Sequence, residues 1–262
     1  MASAIGVTGG ASGIGARIVE TFEERGFDVV ILDRNDPGNG KSFVPCDLSE
    51  ISSIDAAVAA LPKNLSAFVN AAGVSGLAPI STIMKVNFYG LRYLTESVAG
   101  RLSEGGSVVN IASTASWFWR DHLSDVGQIL EARTEEQVAD VCADLIPDGH
   151  TAYARSKEAV LVWSAVAAQE FLGRFRVNSV SPGATETPLL AEFYEAMGHE
   201  ELDPLTKRAG GRNGYPQEIA NVVSFLCSPE ANWINGTDIP VDNSAEVSEF
   251  LASQNIIRPL EK

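Results

Sequence analysis

Basic side chains are scarce in this 262-residue chain: 19 Lys and Arg stand against 34 Asp and Glu, a formal charge of −15. Neutralising a phosphate backbone takes clustered Lys and Arg, so this balance argues against nucleic acid as a partner. Cysteine is sparse as well. Cys46, Cys142 and Cys227 are odd in number, widely spaced and without a C-x-x-C, which points away from a disulfide framework or a zinc site and towards a reducing, cytoplasmic compartment. His122, His150 and His199 have no ligand spacing and Met84 and Met197 form no stripe, so no metal or haem is expected. Long hydrophobic runs are missing too. The longest, 159–168, is broken by Ser164 and flanked by Lys157, Glu158 and Glu170, far short of the ~20 apolar residues of a membrane span. An apolar run and a glycine loop already occupy residues 4–15, where a targeting segment would lie. What is present is ordinary globular material, 45% hydrophobic and 20% charged, and a soluble protein is expected.

Short β-branched runs alternate with longer helical patterns. Strands are predicted over 4–8, 29–33, 42–45, 67–70, 107–111, 176–181 and 238–241. Helices are predicted over 14–25, 51–61, 83–102, 151–172 and 216–226. Such alternation marks βαβ units on a parallel sheet. No repeat, charge block or Pro/Gly/Ser-rich linker divides the chain, so one domain over 1–262 is expected, with strand order 3-2-1-4-5-6-7. Two segments interrupt the rhythm. Residues 117–149, rich in Asp and Glu, are too long for an ordinary loop and read as a helical insertion with helices over 128–132 and 135–145. Residues 183–214 are polar and punctuated by Gly and Pro, with a helical piece over 188–197, and read as a substrate lid.

The first strand runs into Thr8-Gly9-Gly10-Ala11-Ser12-Gly13-Ile14-Gly15, which opens a helix. Glycines at 9, 13 and 15 let a pyrophosphate approach backbone N–H groups at a helix N-terminus, where the dipole favours anions. The second strand ends in Asp33, where a carboxylate accepts hydrogen bonds from a ribose 2′-hydroxyl and repels a 2′-phosphate, which favours NAD over NADP. Arg34 beside it either attracts that phosphate or stacks on adenine. Asp47, followed by Leu48, either meets the adenine amino group or caps a helix.

Tyr153 and Lys157 lie four apart on a predicted helix, so their side chains share a face. An ammonium near a phenol favours the phenolate and prepares it as a general base. Ser113 closes the fifth strand at its carboxyl end, where ligands bind in open α/β sheets, and can donate to a carbonyl oxygen.

With these motifs the chain resembles the short-chain dehydrogenases/reductases. The resemblance rests on the glycine loop, Asp47-Leu48, Asn70-Ala71-Ala72-Gly73, Asn87, Ser113, Tyr153-Ala154-Arg155-Ser156-Lys157 and Pro182-Gly183-Ala184-Thr185-Glu186-Thr187. It implies a Rossmann-like doubly wound α/β domain with Tyr153 as acid/base. Lys157 would hold the nicotinamide ribose and lower the Tyr153 pKa, and Ser113 would polarise the substrate oxygen. It also implies Asn87 fixing a relay water, Thr187 on the carboxamide, and Asn70 steadying the sheet beside the cofactor. Asn70, Ala71, Ala72, Gly73, Pro182, Gly183 and Thr185 would complete the cofactor contacts. Taken one at a time, Asn87 also reads as a buried helix residue, Thr187 as an N-cap and Ser113 as a loop residue. The family's usual Asp-Gly-Gly near the C-terminus is here Asp242-Asn243-Ser244.

Ser113 and Tyr153 are 40 residues apart, far more than the family usually has. That insertion resembles the bacterial 3α-hydroxysteroid dehydrogenase/carbonyl reductase branch, in which an insertion covers the common tetramer surface. A homodimer through residues 216–226 and 238–241 is therefore implied, with Glu131, Glu135, Glu136, Asp140 and Asp144 giving the insertion a negative outer face. Trp117 and Trp119 follow Ser113 closely and either wall an apolar substrate pocket with Ser113 and Tyr153 or pack the insertion. The expected activity is NAD-dependent interconversion of a secondary alcohol and a ketone on a bulky alicyclic, steroid or aromatic substrate, or on a terpene, aryl or xenobiotic alcohol. A catalytically silent redox sensor or scaffold is the alternative class.

Overall fold

Runs such as Val29-Val30-Ile31-Leu32 suit a strand buried on both faces, where β-branched side chains meet helices above and below. The computed structural model describes residues 4–38 and 40–257. Its strands are β1 (Ala4–Thr8), β2 (Asp28–Asp33), β3 (Phe43–Pro45), β4 (Leu65–Asn70), β5 (Leu102–Ile111), β6 (Phe175–Pro182) and β7 (Asp238–Val241). They form one parallel sheet in the order β3-β2-β1-β4-β5-β6-β7, a single Rossmann-like α/β domain. Helices α1 (Gly13–Glu24) and α10 (Pro216–Cys227) cover one face and bury Ile18, Phe22, Ile219 and Leu226 against Ile5, Val7, Val69 and Val109. The other face carries α2 (Ile51–Ala60), α4 (Leu91–Val98) and α7 (Gly149–Glu170), whose Ile54, Leu94 and Trp163 join Phe68, Val108 and Val177. Neighbouring residues such as Val108 and Val109 point to opposite faces, as the period of two requires.

The helix expected over 128–132 begins earlier, as α5 (Leu123–Glu131), one predicted helix is broken up, and two helices appear that were not predicted. The single helix expected over 83–102 is α3 (Ile80–Met84), a π-helical turn (Lys85–Gly90) and α4, and the chain then becomes β5, because Leu102 pairs with Leu65. Helix α9 (His199–Arg208) lies in the segment read as polar and irregular; Pro204 inside it is a residue that usually ends helices. Helix α11 (Ala245–Ser253) follows β7 and was not predicted.

Residues 117–149 contain α5 (Leu123–Glu131) and α6 (Glu135–Leu145), the latter opened by a capping box in which Thr134 and Gln137 satisfy each other's backbone N–H groups. Ile129, Val138 and Ile146 join the main core and Val126 is buried, while Glu131, Glu135, Glu136, Asp140 and Asp144 are exposed. Two charged clamps hold the segment down. Arg92 of α4, 5% exposed, donates to the carbonyls of Leu130 and Ala132 at 3.0 and 2.6 Å. Glu158 of α7, 1% exposed, receives Arg155 at 3.1 Å and lies 2.8 Å from His122 Nδ1.

Candidate active site

The carboxyl ends of the strands open into a cleft of about 520 Å³ at the point where the strand order reverses between β1 and β4. Gly9 adopts a φ of 68°, and a Cβ there would stand 2.7 Å from the Ala72 backbone, so only glycine fits. A Cβ on Gly15 would stand 2.1 Å from the Gly9 carbonyl oxygen, so the loop folds back tightly on the first turn of α1. Ser12 is the N-cap of α1 but its side chain caps nothing, and the first turn carries no acid. That helix end therefore keeps its N–H groups and its dipole for an external anion.

Asp33 is tied on both oxygens, accepting from the Ala11 N–H at 3.1 Å and the Asn35 N–H at 3.0 Å, and it faces the cleft. Asp47 does not cap a helix: Glu50 is the N-cap of α2, while Asp47 accepts from the Ser49 N–H and hydroxyl at 2.9 and 2.7 Å and lines the cleft. Burial works against its charge, but Ser49 and the Arg34 guanidinium outweigh it and hold its carboxyl below the usual range.

At the other end, Tyr153 and Lys157 descend from one face of α7 towards Ser113. Lys157 Nζ donates to the Ile111 carbonyl at 2.9 Å and lies 5.8 Å from the Tyr153 ring centre. Ser113 leaves its β5 strand as the N-cap of a 3-10 turn, its hydroxyl accepting from the Ala115 N–H at 3.2 Å. The lowered phenol pKa expected for Tyr153 is reversed in the protein alone. Burial pushes Tyr153 up to about 12, against the hydrogen bond with Ser113, and burial also pushes Lys157 down to about 8. Desolvation penalises whichever form is charged, so the two pKa values move in opposite directions.

Every residue expected to touch the cofactor lines the cleft except Asn70. Asn70 lies behind the cleft floor and donates to Thr95 and Asn110, both at 2.8 Å, stitching β4 to α4 and β5. Asn87 is also buried behind it, in the π-helical turn: its Oδ1 accepts from the Val74 N–H at 2.9 Å and its Nδ2 donates to Ser156 at 3.2 Å. A Cβ on Gly73 would meet Asn87 Oδ1 at 3.3 Å and Lys157 Nζ at 3.6 Å, so these groups do converge. Thr187 is the N-cap of α8 (Pro188–Met197), yet its hydroxyl donates to the Thr185 carbonyl at 3.2 Å and it lines the cleft.

Trp117 and Trp119 do not wall the pocket. The 3-10 turn after Ser113 carries them away: Trp117 packs against Phe250 of α11 at 6.4 Å and Trp119 lies under Arg120 at 4.2 Å. The aromatic wall is instead Phe193 of α8, edge-on to Tyr153 at 4.9 Å. Sequence reasoning also missed Thr8, whose hydroxyl accepts from the N–H groups of Ala71 and Ala72 at 3.0 and 3.1 Å. It missed Glu192 and Glu246, which enter the cleft from α8 and α11. A carboxylate just after the departed Asp242-Asn243-Ser244 motif was the available signal for Glu246.

A glycine cradle for a pyrophosphate, a carboxylate at the end of β2 and a Ser-Tyr-Lys constellation on the same cleft define a dinucleotide-binding oxidoreductase fold, and the donor set fits a nicotinamide dinucleotide. The family model described as short chain dehydrogenase matches residues 3–124, and the one described as Enoyl-(Acyl carrier protein) reductase matches 137–243. The chain is 38% identical over 242 residues to a coniferyl-alcohol dehydrogenase of Pseudomonas sp. (strain HR199 / DSM 7063), covering 90% of this chain and 93% of that protein. It is 30% identical over 254 residues to the 3-alpha-hydroxysteroid dehydrogenase/carbonyl reductase of Comamonas testosteroni, covering 93% and 96%. The structure of a 3-alpha-hydroxysteroid dehydrogenase from Pseudomonas sp. B-0831 complexed with NADH superposes with a TM-score of 0.81 at 29% identity, over 99% of this chain and all of that one. The chain belongs to the short-chain dehydrogenase/reductase family. It is an oxidoreductase of alcohols and ketones. Among the described residues no helix is long and apolar enough to cross a membrane.

Proposed function

We propose that the protein is an NAD-dependent dehydrogenase that interconverts a secondary alcohol and its ketone, acting on a bulky aromatic or alicyclic substrate. The observation that carries this reading is the convergence of Ser113, Tyr153 and Lys157 at one end of a cleft whose other end presents Asp33. The Ser113 hydroxyl holds the substrate oxygen; in the reduction direction the protonated Tyr153 phenol gives its proton to that oxygen, and in the oxidation direction the Tyr153 phenolate takes the alcohol proton back. When bound, the nicotinamide supplies or accepts the hydride. Lys157 orients the ribose side of the cleft, and its amino group stays anchored on the Ile111 carbonyl. Asn87 and Asn70 act from behind, positioning Gly73, Val74 and the sheet ends that the site is built on.

Preference for NAD rests on Asp33, whose fixed carboxylate meets a ribose hydroxyl and repels a phosphate. Arg34 is exposed and its charge acts on Asp47, which supports its role as a neighbour of adenine. The bulky substrate class is supported by the apolar walls that Leu190, Phe193, Met197 and Leu202 give the cleft beyond Tyr153. The segment 183–214, which carries these walls on α8 and α9, serves as the lid. The hydroxyl of Ser75 donates to Glu192 at 2.5 Å and would latch α8 to the loop after β4. The assembly we propose is a homodimer through α10 and β7, with the acidic insertion shielding the opposite surface, and its location the cytoplasm.

The test is a panel of secondary alcohols offered with NAD and with NADP, following absorbance of the reduced cofactor. Turnover of aryl and alicyclic members with a higher kcat/KM for NAD is expected. No turnover with either cofactor would return the protein to the silent-sensor reading, and a higher kcat/KM with NADP would assign Arg34 the deciding role.

A further inference from the structure

Beyond Ser113 and Tyr153 the cleft continues between α8, α9 and the first turn of α11, and its walls there are apolar. Two carboxyl groups break that apolar lining, Glu192 from α8 and Glu246 from α11. Among the described lining residues no Lys or Arg stands on this side: Lys157 is bound to the Ile111 carbonyl, and Arg34 lies past Asp33 at the opposite end. An anionic substrate would therefore meet like charge with nothing to neutralise it.

The two carboxyls differ in what they already bond. Glu192 is engaged by Ser75 at 2.5 Å. Glu246 has only the nearby Thr114 side chain favouring its charge. The arginines of this region are committed elsewhere, Arg208 to Glu249 and Arg212 to Glu218 at 2.7 Å. Burial, with the charges of Asp242 and Glu249 added, pushes the Glu246 carboxyl up to about 7 in spite of Thr114. A half-buried carboxyl has acceptor capacity for more than one hydroxyl, and a partner for the remainder must come from outside the chain.

Its position is equally informative. Thr114, the residue after Ser113, lines both this cleft and a smaller neighbouring cavity together with Glu246. That cavity, of about 180 Å³, lies between α9, α10 and the end of β7. The carboxyl thus sits where the substrate end of the cleft meets a side chamber, at a place that the far end of a bulky substrate would reach.

We propose that Glu246 is the specificity residue of this site: it accepts a hydrogen bond from a second hydroxyl of the substrate, remote from the carbinol held by Ser113 and Tyr153. The enzyme then selects diols and hydroxyaryl alcohols over monofunctional alcohols and rejects carboxylates. The inference rests on the reading of this cleft as an alcohol dehydrogenase site. A site built to bond a hydroxyl discriminates sharply against analogues that lack it, because the buried acceptor is left unpaired.

Matched probes test this. With NAD, kcat/KM is measured for 1-(4-hydroxyphenyl)ethanol, 1-phenylethanol, 1-(4-methoxyphenyl)ethanol and 1-(4-carboxyphenyl)ethanol, and for cyclohexane-1,4-diol against cyclohexanol. The hydroxylated member of each pair should lead by about tenfold or more. The methoxy compound, which keeps the oxygen but has no proton to donate, should fall back with 1-phenylethanol, and the carboxylate should be the poorest. Glu246→Leu should collapse the preference to about twofold, and Glu246→Gln, whose amide oxygen still accepts, should keep part of it. Binding of 4-hydroxyacetophenone and acetophenone to the protein, followed by calorimetry, gives the same ranking without turnover. No preference in the unmodified protein, a preference that survives Glu246→Leu, or no binding of either ketone overturns the proposal. Turnover of none of the alcohols, with the hydroxyketone still preferred in binding, would sink the alcohol dehydrogenase reading and leave Glu246 its role. If Glu246→Leu does not fold, the methoxy probe on the unmodified protein decides.

Discussion

Tyr153 carries the proton in the proposed reaction, and its environment makes the residue testable with one oxygen atom. Tyr153→Phe keeps the ring against Phe193 and removes only the hydroxyl that meets Ser113. Turnover should fall by at least about 10²-fold, the range in which general acid–base catalysis operates, while fluorescence titration finds NADH affinity little changed. Near-native turnover would take the acid/base role from Tyr153. Asp33 is a second single-residue test. Its carboxylate is fixed by two backbone N–H groups, so Asp33→Ala removes a rigid acceptor for ribose and a fixed repulsion against phosphate. The ratio of kcat/KM for NAD over NADP should drop by about tenfold or more, one to two hydrogen bonds to a charged group being involved.

At the scale of elements, the insertion is tied to the helix that carries Tyr153 and Lys157. Arg155 lies between Tyr153 and Lys157 in sequence and turns to Glu158, which faces His122 of the insertion, while Asp125 of α5 receives Arg155 Nε at 3.3 Å. Removing the carboxylate of Glu158 leaves a nearly buried guanidinium without its main partner. Glu158→Ala should therefore cost about 3 kcal/mol, lowering Tm in a thermal melt by several degrees, and hydrogen exchange in α5 should quicken. The exposed pair Arg133–Glu96, 2.9 Å apart, is the control: Arg133→Ala should cost less than about 1 kcal/mol. Equal costs for the two would mean that the insertion is not held through Glu158.

For the whole molecule, assembly and pH response follow from what the surface and the cleft leave unpaired. β7 is an edge strand, Phe225 of α10 is 41% exposed, and Trp233 just before β7 is fully exposed. Such an edge calls for cover, which the proposed homodimer would supply. Light scattering should report a dimer, and the double substitution Phe225→Glu, Trp233→Ser should yield a monomer. A tetramer whose crosslinks fall on residues 117–149 would overturn this arrangement. The pH response comes from Glu246, with Asp242, Glu249 and its partner Arg208, and Thr114 around it. Its carboxyl titrates near 7 when folded and near 4.5 when unfolded, so the folded state holds an extra proton between those values. Stability from this group is present below about pH 4.5 and is lost as pH rises towards about 7. Glu246→Gln removes that titration, so the Tm of the variant relative to the unmodified protein should climb by about 2 °C or more between pH 5 and pH 7.5. A constant difference across that range would mean that Glu246 titrates normally.

Much of this was legible in the chain itself. The strand that closes on Thr8, the glycines whose missing side chains make the pyrophosphate cradle, Asp33 at a strand end and Tyr153 four residues before Lys157 are local patterns, and local sterics and helix periodicity determine them. The strand order follows from the handedness of βαβ units and was likewise within reach. What lay out of reach depends on residues distant in sequence. Trp117 and Trp119 leave the cleft because a 3-10 turn redirects them, with Phe250 receiving Trp117, and Phe193 takes the place beside Tyr153. Glu246 becomes a feature of the substrate end only when α11 packs beside Thr114. The same holds for the phenol of Tyr153: composition names an ionisable group, but the burial that sets its pKa exists only in the folded protein, because desolvation is a property of the surroundings and not of the residue.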